Sequence, residues 1–400
     1  MTIDTAPVVA PDRVPGPVPA GQEADPGPGV GAGEPAAVLT DLKGLEPAEL
    51  DALVVGMGQE PFRARQLQRW IYARGESDLA AMTDLAAGFR RQLGQVAYVS
   101  RLPLLATRVS ATGTVAKFVF ALAGGERIEA VYIADAGRRT ACLSSQAGCP
   151  LACRFCATGR LGFRRNLTAA EIIDQLLQVG AWAAARGQRL SNVVMMGMGE
   201  PLLNYEPVLR AIRLMRLELG PAIGGRKITV STAGYVPGIR RLAAEPLNVG
   251  LAISLHATTD EVRRQLMPIA RGFTIAELLA AAREYFDRRG RRVTFEYVLL
   301  GGVNDADDDA RRLAALTADL PCKLNLIPYN ELGQDSPYRR PDPGRIDAFR
   351  RLLEAHSIHA VTVRDSQGQD IDAACGQLAG ADPSLPHPSG GASGGVRGSV

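Results

Sequence analysis

The chain has 400 residues, of which 46% are hydrophobic and 22% charged, and its formal net charge at pH 7 is +3. That apolar fraction supports a large core, but no apolar run reaches the roughly 18 residues needed to cross a membrane. Six cysteines in a chain of this length, with no signal peptide, exclude a disulfide-stapled secreted protein, so we expect a cytoplasmic one.

Both ends of the chain have the composition of flexible tails. Residues 1–40 contain eight prolines and six glycines, a level typical of unpatterned disordered sequence. Residues 381–400 are rich in proline, glycine and serine. We therefore predict a disordered tail at 1–40, a flexible tail at 381–400 and a folded body between them.

The first part of the folded body contains two sequence patterns, and each predicts a small structural unit. Residues 41–105 carry apolar side chains at helical spacing, interrupted at Gly56 and Pro61, which indicates an N-terminal helical domain. Residues 107–135 alternate apolar and polar side chains between glycine-rich breaks, which is typical of a small antiparallel sheet. We place this β extension at 106–138, and its last strand carries Glu129.

From residue 139 onward, strand patterns alternate with amphipathic helix patterns. The helix predicted at 168–186 has a capping box formed by Thr168 and Glu171. Six βα units predict an α/β fold with a parallel sheet, either open or curved into a partial barrel. Functional sites in such folds form at the carboxyl ends of the strands. The predicted strands are 140–145, 191–196, 227–231, 249–255, 292–300 and 323–328.

Three cysteines with the spacing C-x₃-C-x₂-C follow the first of these strands. Cys149, Cys153 and Cys156 supply three thiolates, the preferred protein ligands of a [4Fe–4S] cluster, and leave the fourth iron open for chemistry. A zinc knuckle would need a fourth ligand close by, and no Cys or His follows until His256. A disulfide knot does not suit a cytosolic chain. The spacing therefore predicts an iron–sulfur cluster.

Polar residues follow the later strands. The second strand ends in GMGEP at 197–201, where glycines allow a close backbone approach and Glu200 offers an acceptor for a cationic amine. This is not a dinucleotide loop, because Leu202 stands where G-x-G-x-x-G needs glycine. Further polar groups at the same edge are Ser231, the run Ser254-Leu255-His256, and Asn330.

Two more cysteines lie apart from the cluster motif. Cys142 is on the first strand, and Cys375 lies in GQDIDAACGQL beside Gly376, a context that suggests presentation on a loop. Each cysteine alone is most simply a small buried hydrophobe, and Cys322 keeps that interpretation.

Arginines form three groups in the folded body. A solvated surface explains any one group, but three groups on a net-basic body favour a polyanionic partner. The groups are Arg160, Arg164 and Arg165; Arg288, Arg289, Arg291 and Arg292; and Arg339, Arg340 and Arg345.

Taken together, these residues resemble the radical S-adenosylmethionine (SAM) superfamily and, within it, the RlmN/Cfr family of RNA adenine methyltransferases. The resemblance covers about residues 41–380 and implies a partial (β/α)6 radical SAM barrel over 139–380, with an RNA-binding accessory role for 41–105. The matching motifs are SSQAGCPLACRFCATG, MGMGEPLLN, STAG, ISLHA, LNLIPYN, DIDAACGQL and, in the N-terminal domain, FRARQLQRWIY.

The resemblance also assigns roles to single residues. The three motif cysteines would bind one [4Fe–4S] cluster, and SAM would chelate its open iron. Cys375 would be the methyl carrier and Cys142 its partner thiol, while Glu129 matches the position of a proton acceptor. The residues at SAM-contacting positions are Gly199, Glu200, Ser231, Ser254, Leu255, His256 and Asn330.

The implied reaction uses two SAM molecules per turnover, because carbon 2 of adenine is not nucleophilic. The first methylates Cys375, and the second, cleaved reductively, activates the S-methyl group. The carbon then bonds to the base in a covalent protein–RNA intermediate, which Cys142 resolves by attack on the Cys375 sulfur. The implied substrates are 23S rRNA and tRNA, at the adenosine 3′ to the anticodon. We also expect the protein to be a monomer that receives electrons from an external flavodoxin-type donor. We expect no membrane partner.

Two other functions stay open at this point. Methylation of carbon 8 of the same ribosomal adenine uses related chemistry and the same cysteines, although residues 41–105 and the DIDAACGQL context favour carbon 2. The other alternative is a non-catalytic iron–sulfur protein that acts as an RNA-binding redox sensor. GMGEP, Ser231 and His256 argue against it, since a sensor needs no SAM site.

Overall fold

The structure is a computed structural model that describes residues 39–333, 336–364 and 367–379. The tails predicted at 1–40 and 381–400 lie outside these residues, apart from Leu39 and Thr40. No helix in this part of the chain is long and apolar enough to span a membrane.

A small helical layer precedes the main sheet, as predicted. Its apolar side chains, including Leu50, Leu67 and Phe89, are buried. A two-residue parallel strand pair, which the sequence did not predict, joins its beginning to its end. The elements are β1 (Thr40–Asp41), α1 (Pro47–Gly56), α2 (Phe62–Gln68), α3 (Ala87–Val96) and β2 (Ala97–Tyr98).

Within the described residues, a mixed sheet of ten strands forms the centre of the molecule, and a separate two-stranded hairpin occurs along the chain between two of its strands. The sheet strands are β3 (Leu104–Val109), β4 (Val115–Ala121), β5 (Arg127–Asp135), β6 (Arg138–Cys142), β9 (Asn192–Met195), β10 (Ile228–Thr232), β11 (Gly250–Ser254), β12 (Val293–Leu299), β13 (Cys322–Pro328) and β14 (Ala360–Val363). The hairpin strands are β7 (Gln146–Gly148) and β8 (Phe163–Asn166).

The two halves of the sheet are built differently. Strands β3 to β6 are antiparallel neighbours, whereas β6 and β9 to β14 are parallel and adjacent in chain order. The predicted β extension is therefore continuous with the main sheet. All six predicted parallel strands are confirmed, with ends that differ by at most three residues. Strand β14 was not predicted, because four residues at the sheet edge carry a weak pattern.

Helices connect the parallel strands and bury apolar faces such as Ile172, Ile212 and Ile239. The capping box of Thr168 and Glu171 at the start of the first long helix is confirmed. The helices are α4 (Ala157–Arg160), α5 (Ala169–Ala184), α6 (Tyr205–Met215), α7 (Val236–Ala244), α8 (Asp260–Leu266), α9 (Ile275–Arg289), α10 (Asp307–Thr317) and α11 (Pro343–His356).

The parallel part of the sheet is curved into a partial barrel. Strands β6 and β14 are six positions apart in the sheet, yet Thr140 of β6 and Thr362 of β14 line the same cavity of about 560 Å³. This requires the sheet to bend around the cavity. The predicted partial barrel is confirmed, with β14 as a seventh parallel strand.

Candidate active site

The three motif cysteines lie between the hairpin strands β7 and β8, close to the carboxyl ends of the barrel strands. The backbone nitrogen of Cys149 donates to the carbonyl of Gly162 at 3.0 Å, which closes the loop. Gly159 permits a tight turn behind the cysteines, because a Cβ there would lie 2.8 Å from the carbonyl oxygen of Cys153. All three thiols are partly buried and line one chamber, which we call the upper chamber.

The chemistry of this thiol set fits an iron–sulfur cluster. Burial raises the pKa of Cys149 to about 12 and also raises the pKa of Cys153 and Cys156, so ligation would have to displace protons. Among the described residues, no three His, Cys, Asp or Glu side chains converge on a point that would hold a single metal ion. A [4Fe–4S] cube does not need that convergence, since each cysteine binds a different iron.

Glu200 lines the same chamber as these cysteines and is 3% exposed. Its Oε2 accepts a hydrogen bond from the nitrogen of Ala233 at 2.7 Å, and its Oε1 accepts one from the nitrogen of Leu202 at 3.1 Å. Burial raises the pKa of Glu200 to about 7, although these hydrogen bonds oppose the increase. A carboxylate held in this way is suited to pair with a ligand cation.

Gly199 brings the backbone close to the hairpin. Its φ is +99°, and a Cβ there would lie 2.5 Å from Cβ of Gln146, so a side chain would not fit. Gln146 in turn accepts a hydrogen bond from the nitrogen of Glu200 at 2.8 Å. The GMGEP turn is thus fixed to the cluster loop through Gln146, which lies within the motif SSQAGCPLACRFCATG but was assigned no role.

Most of the other residues predicted to contact SAM also line the upper chamber, namely Ser231, Ser254, His256 and Asn330. Leu255 is the exception: its side chain is 0% exposed within the hydrophobic core, and its backbone carbonyl accepts from Nε of Arg263.

His256 has an assigned tautomer. Its Nδ1 accepts a hydrogen bond from the nitrogen of Val298 at 3.0 Å, so the ring proton is on Nε2. Burial lowers the pKa of His256 to about 3, and the ring makes an edge contact with Phe155 at 5.0 Å between centroids. His256 is therefore a neutral donor at physiological pH.

Asn330 lines the upper chamber and also makes hydrogen bonds within the protein. Its Nδ2 donates to the carbonyl of Cys375 at 3.0 Å, and its Oδ1 accepts from Nε2 of Gln369 at 2.7 Å. Asn330 thereby fixes the segment of residues 367–379, which we call the Cys375 segment.

Cys375 is at the boundary between the upper chamber and the 560 Å³ cavity, which we call the lower chamber, and it lines both. Cys142 lines only the lower chamber. Burial raises the pKa of Cys142 to about 12, and the neighbouring Cys375 adds to the increase. The two thiols that the sequence paired across more than 200 residues therefore lie close together.

Glu129 is 0% exposed and lines neither chamber. Its Oε1 lies 3.4 Å from Nζ of Lys117, and its Oε2 accepts a hydrogen bond from the nitrogen of Ala379 at 3.2 Å. Its carboxylate thus contacts the Cys375 segment, at a residue four positions after the cysteine.

Two arginines of the site were missed by sequence reasoning. Arg263 is 0% exposed, and its guanidinium donates to the carbonyls of Ala233, Ser254, Leu255 and Phe273. Arg364 lines both chambers, and the charge at Cys375 is the main cause that raises its pKa. Neither belongs to a motif, and Arg263 is on a helix whose neighbouring Arg264 is exposed, so no local signal marks them.

Comparison with known families agrees with this site. Residues 143–314 match the model of the radical SAM superfamily, and residues 40–99 match the ribosomal RNA large subunit methyltransferase N-terminal domain. Together these matches span the helical layer and most of the barrel.

Individual proteins give the same result. The dual-specificity RNA methyltransferase RlmN of Anaeromyxobacter dehalogenans is 46% identical over 349 residues, which is 85% of this chain and 91% of that protein. The RlmN of Geobacter sulfurreducens is 47% identical over 343 residues, 86% of this chain and 92% of that protein. The crystal structure of a radical SAM methyltransferase from Sphaerobacter thermophilus is 44% identical, with a TM-score of 0.82 over 86% of this chain and 100% of that one.

Proposed function

Because this chain belongs to the RlmN family of radical SAM RNA methyltransferases, we propose that it methylates carbon 2 of adenosine in RNA. The proposed substrates are a specific adenosine of 23S rRNA and the adenosine 3′ to the anticodon of tRNA. The proposal includes a cytoplasmic monomer that receives electrons from a flavodoxin-type donor.

Membership of the family implies SAM and a [4Fe–4S] cluster as cofactors. We assign one cluster to Cys149, Cys153 and Cys156, and two SAM molecules to each turnover. When bound, the cluster supplies the electron for reductive cleavage of SAM. The backbone at Gly199, with Glu200 and the polar groups of Ser231, Ser254 and His256, would bind and orient SAM, with Glu200 pairing with its ammonium group.

The position of Cys375 carries the proposal. Its thiol borders both chambers, so it is suited to receive a methyl group from SAM in the upper chamber and to deliver the carbon to a base in the lower one. A cavity of about 560 Å³ is in the range of small-molecule sites and accommodates an adenine that has left its stack, at a cost of a few kcal/mol.

Cys142 completes the exchange. It lines the lower chamber beside Cys375, where its sulfur can attack the Cys375 sulfur. In that attack the Cys142 thiol loses its proton and forms the sulfur–sulfur bond. The bond between the Cys375 sulfur and the RNA-linked carbon breaks, and the carbon keeps the electron pair and takes up a proton to become the methyl group. A protein disulfide is left. A base must also take the proton from carbon 2, and the resemblance offers Glu129 and Cys142 for this role.

RNA contacts are proposed for both ends of the folded body. The helical layer exposes Arg65, Arg69, Arg74 and Arg91, and the far end of the lower chamber carries Arg138 and Lys323. These charges attract the phosphate backbone without selecting a sequence. We propose that the shape of the lower chamber selects the adenosine.

The test is mass spectrometry of nucleosides from 23S rRNA and tRNA after incubation with anaerobically reconstituted protein, reductant and methyl-deuterated SAM. The RNA should come from a strain that lacks the modification. We expect 2-methyladenosine with two deuteriums on the methyl group, because one leaves when the S-methyl group is activated. 8-Methyladenosine would instead indicate the carbon-8 activity, and SAM cleavage without methylated adenosine would contradict the proposed substrate.

A further inference from the structure

Strand β4 buries a lysine on the face that points into the barrel. Lys117 is 2% exposed, and it pairs in register with Val131 of β5, which lines the lower chamber. Side chains of directly paired residues lie on the same face of a sheet. A lysine is almost never buried this deeply unless its ammonium group is paired. Lys117 belongs to none of the sequence motifs, so its burial needs a structural explanation.

The ammonium group of Lys117 contacts both Glu129 and the Cys375 segment. Nζ lies 3.4 Å from Oε1 of Glu129 and donates to the carbonyl of Asp372 at 3.3 Å. The other carboxylate oxygen of Glu129 accepts from the nitrogen of Ala379 at 3.2 Å. The ion pair therefore touches the segment both before and after Cys375.

The Cys375 segment has little regular structure of its own. It contains one short 3-10 turn at Gln369–Ile371, followed by Asp372 with a φ of 52°. That left-handed conformation is disfavoured for a residue other than glycine and persists only where the surroundings impose it. Lys117 of β4 supplies such a contact at Asp372 itself, and Glu129 of β5 supplies one at Ala379.

Glu129 is badly situated to act on a substrate proton. A general base has to come within hydrogen-bond reach of the proton that it takes. Cys142 lines the lower chamber, in which the base is proposed to bind, whereas neither Lys117 nor Glu129 lines either chamber.

We propose that Lys117 and Glu129 are positioning residues, whose ion pair holds the Cys375 segment so that the thiol faces both chambers. In this assignment Glu129 acts on the segment and takes no proton from carbon 2. The inference rests on the proposed function, because it takes Cys375 as the methyl carrier.

The test separates methylation of the protein from methylation of RNA. In cluster-loaded full-length protein whose Cys375 starts unmethylated, SAM is added without RNA, and peptide mass spectrometry follows the methyl group on Cys375. We expect Lys117→Met and Glu129→Gln to slow this step by about ten- to a hundredfold, the effect of a misplacement of about 1 Å. Lys117→Arg should recover most of the rate. The exposed Lys227→Met is the matched control and should behave like the unaltered protein.

Hydrogen exchange of the same proteins gives a readout that does not need activity. The amide of Ala379 should exchange at least about tenfold faster in both slow variants, while the cluster spectrum and the Kd for SAM stay unchanged. Normal Cys375 methylation and normal exchange in Lys117→Met would overturn the inference. So would a Glu129→Gln protein that methylates Cys375 normally but accumulates the RNA adduct, because it would identify Glu129 as the proton acceptor. If unaltered protein never methylates Cys375, the proposed function fails, and exchange at Ala379 still decides whether the pair positions the segment.

Discussion

The cluster loop, residues 146–163, and the Cys375 segment both present cysteines to the upper chamber, but they are held in different ways. Backbone hydrogen bonds within the cluster loop close it, such as Cys149 to Gly162 and the nitrogen of Cys156 to the carbonyl of Cys153. Two more backbone bonds join it to other parts of the chain, from Arg154 to Leu266 and from Ala157 to Gly376. The Cys375 segment depends on remote side chains, including Nδ2 of Asn330 on the carbonyl of Cys375 and Oγ1 of Thr158 on the carbonyl of Leu378.

This difference separates the two chemical tasks. The cluster loop sets the spacing of its three cysteines mainly through its own backbone. A carrier thiol that serves two chambers has to be located relative to both, and only contacts with several parts of the barrel do that. We therefore expect changes in the two regions to cause different losses.

The largest expected effects come from removing one cysteine in each region. Cys156→Ala should abolish both SAM cleavage and RNA methylation, because the cluster loses a ligand. Cys375→Ala should reduce RNA methylation at least about a thousandfold while SAM cleavage persists. Liquid chromatography of the SAM products alongside nucleoside mass spectrometry measures both. RNA methylation at a normal rate by Cys375→Ala would erase the distinction between the regions.

The next prediction concerns removal of the Cys142 thiol, which separates its role in the lower chamber from that of Cys375. Cys142→Ala should leave a protein–RNA adduct on Cys375, because no sulfur is available to break the bond to the RNA-linked carbon. A denaturing gel followed by nuclease digestion and mass spectrometry detects the adduct. Cys322→Ala is the matched control, since it removes another buried thiol from the same sheet and should leave no adduct. Free methylated RNA at a normal rate from Cys142→Ala would contradict its role.

Sequence reasoning predicted the locally determined parts well. The cluster spacing, the GMGEP turn and the capping box of α5 depend on residues within a few positions of each other, and the structure brings the cluster cysteines, Gly199 and Glu200 to one chamber. The parallel strands were also predictable, because each has its own apolar pattern.

The long-range parts were not predictable from pattern. Asn330 lines the upper chamber, and its contact with SAM stays a prediction, but the hydrogen bond from its amide to the Cys375 segment was not predicted. Lys117 and Arg263 carry charges, and charged residues usually lie at the surface, so nothing in the sequence marks them as buried. Strand β14 and the approach of Cys142 to Cys375 depend on the curvature of the whole sheet.

Arg263 is an exception to the local stabilisation of the region around the cluster loop, because it connects residues that are distant in the sequence. Its guanidinium is buried among backbone carbonyls that include those of Ala233 and Leu255. Arg263→Met should lower the free energy of unfolding by about 3 kcal/mol, since these carbonyls would lose a charged donor. Urea denaturation followed by circular dichroism measures the change. The exposed Arg264→Met should cost less than about 0.5 kcal/mol, and an equal effect of the two variants would show that burial of Arg263 is not what matters.

The smallest expected effect concerns the pH dependence of SAM binding at Glu200. Burial raises the pKa of this carboxyl to about 7. Below that pH the group is largely protonated, and a ligand cation that pairs with the carboxylate must displace the proton. The affinity of cluster-loaded protein for SAM should therefore increase as pH rises towards 7, by up to about tenfold per unit, and level off above it. Isothermal titration calorimetry between pH 5.5 and 8 measures this slope.

The Glu200→Gln variant is needed to attribute the slope to Glu200, because Glu296 is a second carboxyl of the upper chamber whose pKa is raised by burial. His256 does not contribute. Burial holds the pKa of His256 at about 3, so it is neutral throughout the titration. Glu200→Gln should bind SAM more weakly at pH 8 and lose the slope, since the amide neither titrates nor carries charge. An unchanged slope in Glu200→Gln would mean that the ammonium group of SAM does not pair with Glu200. The upper chamber would then bind SAM through the backbone and the cluster alone.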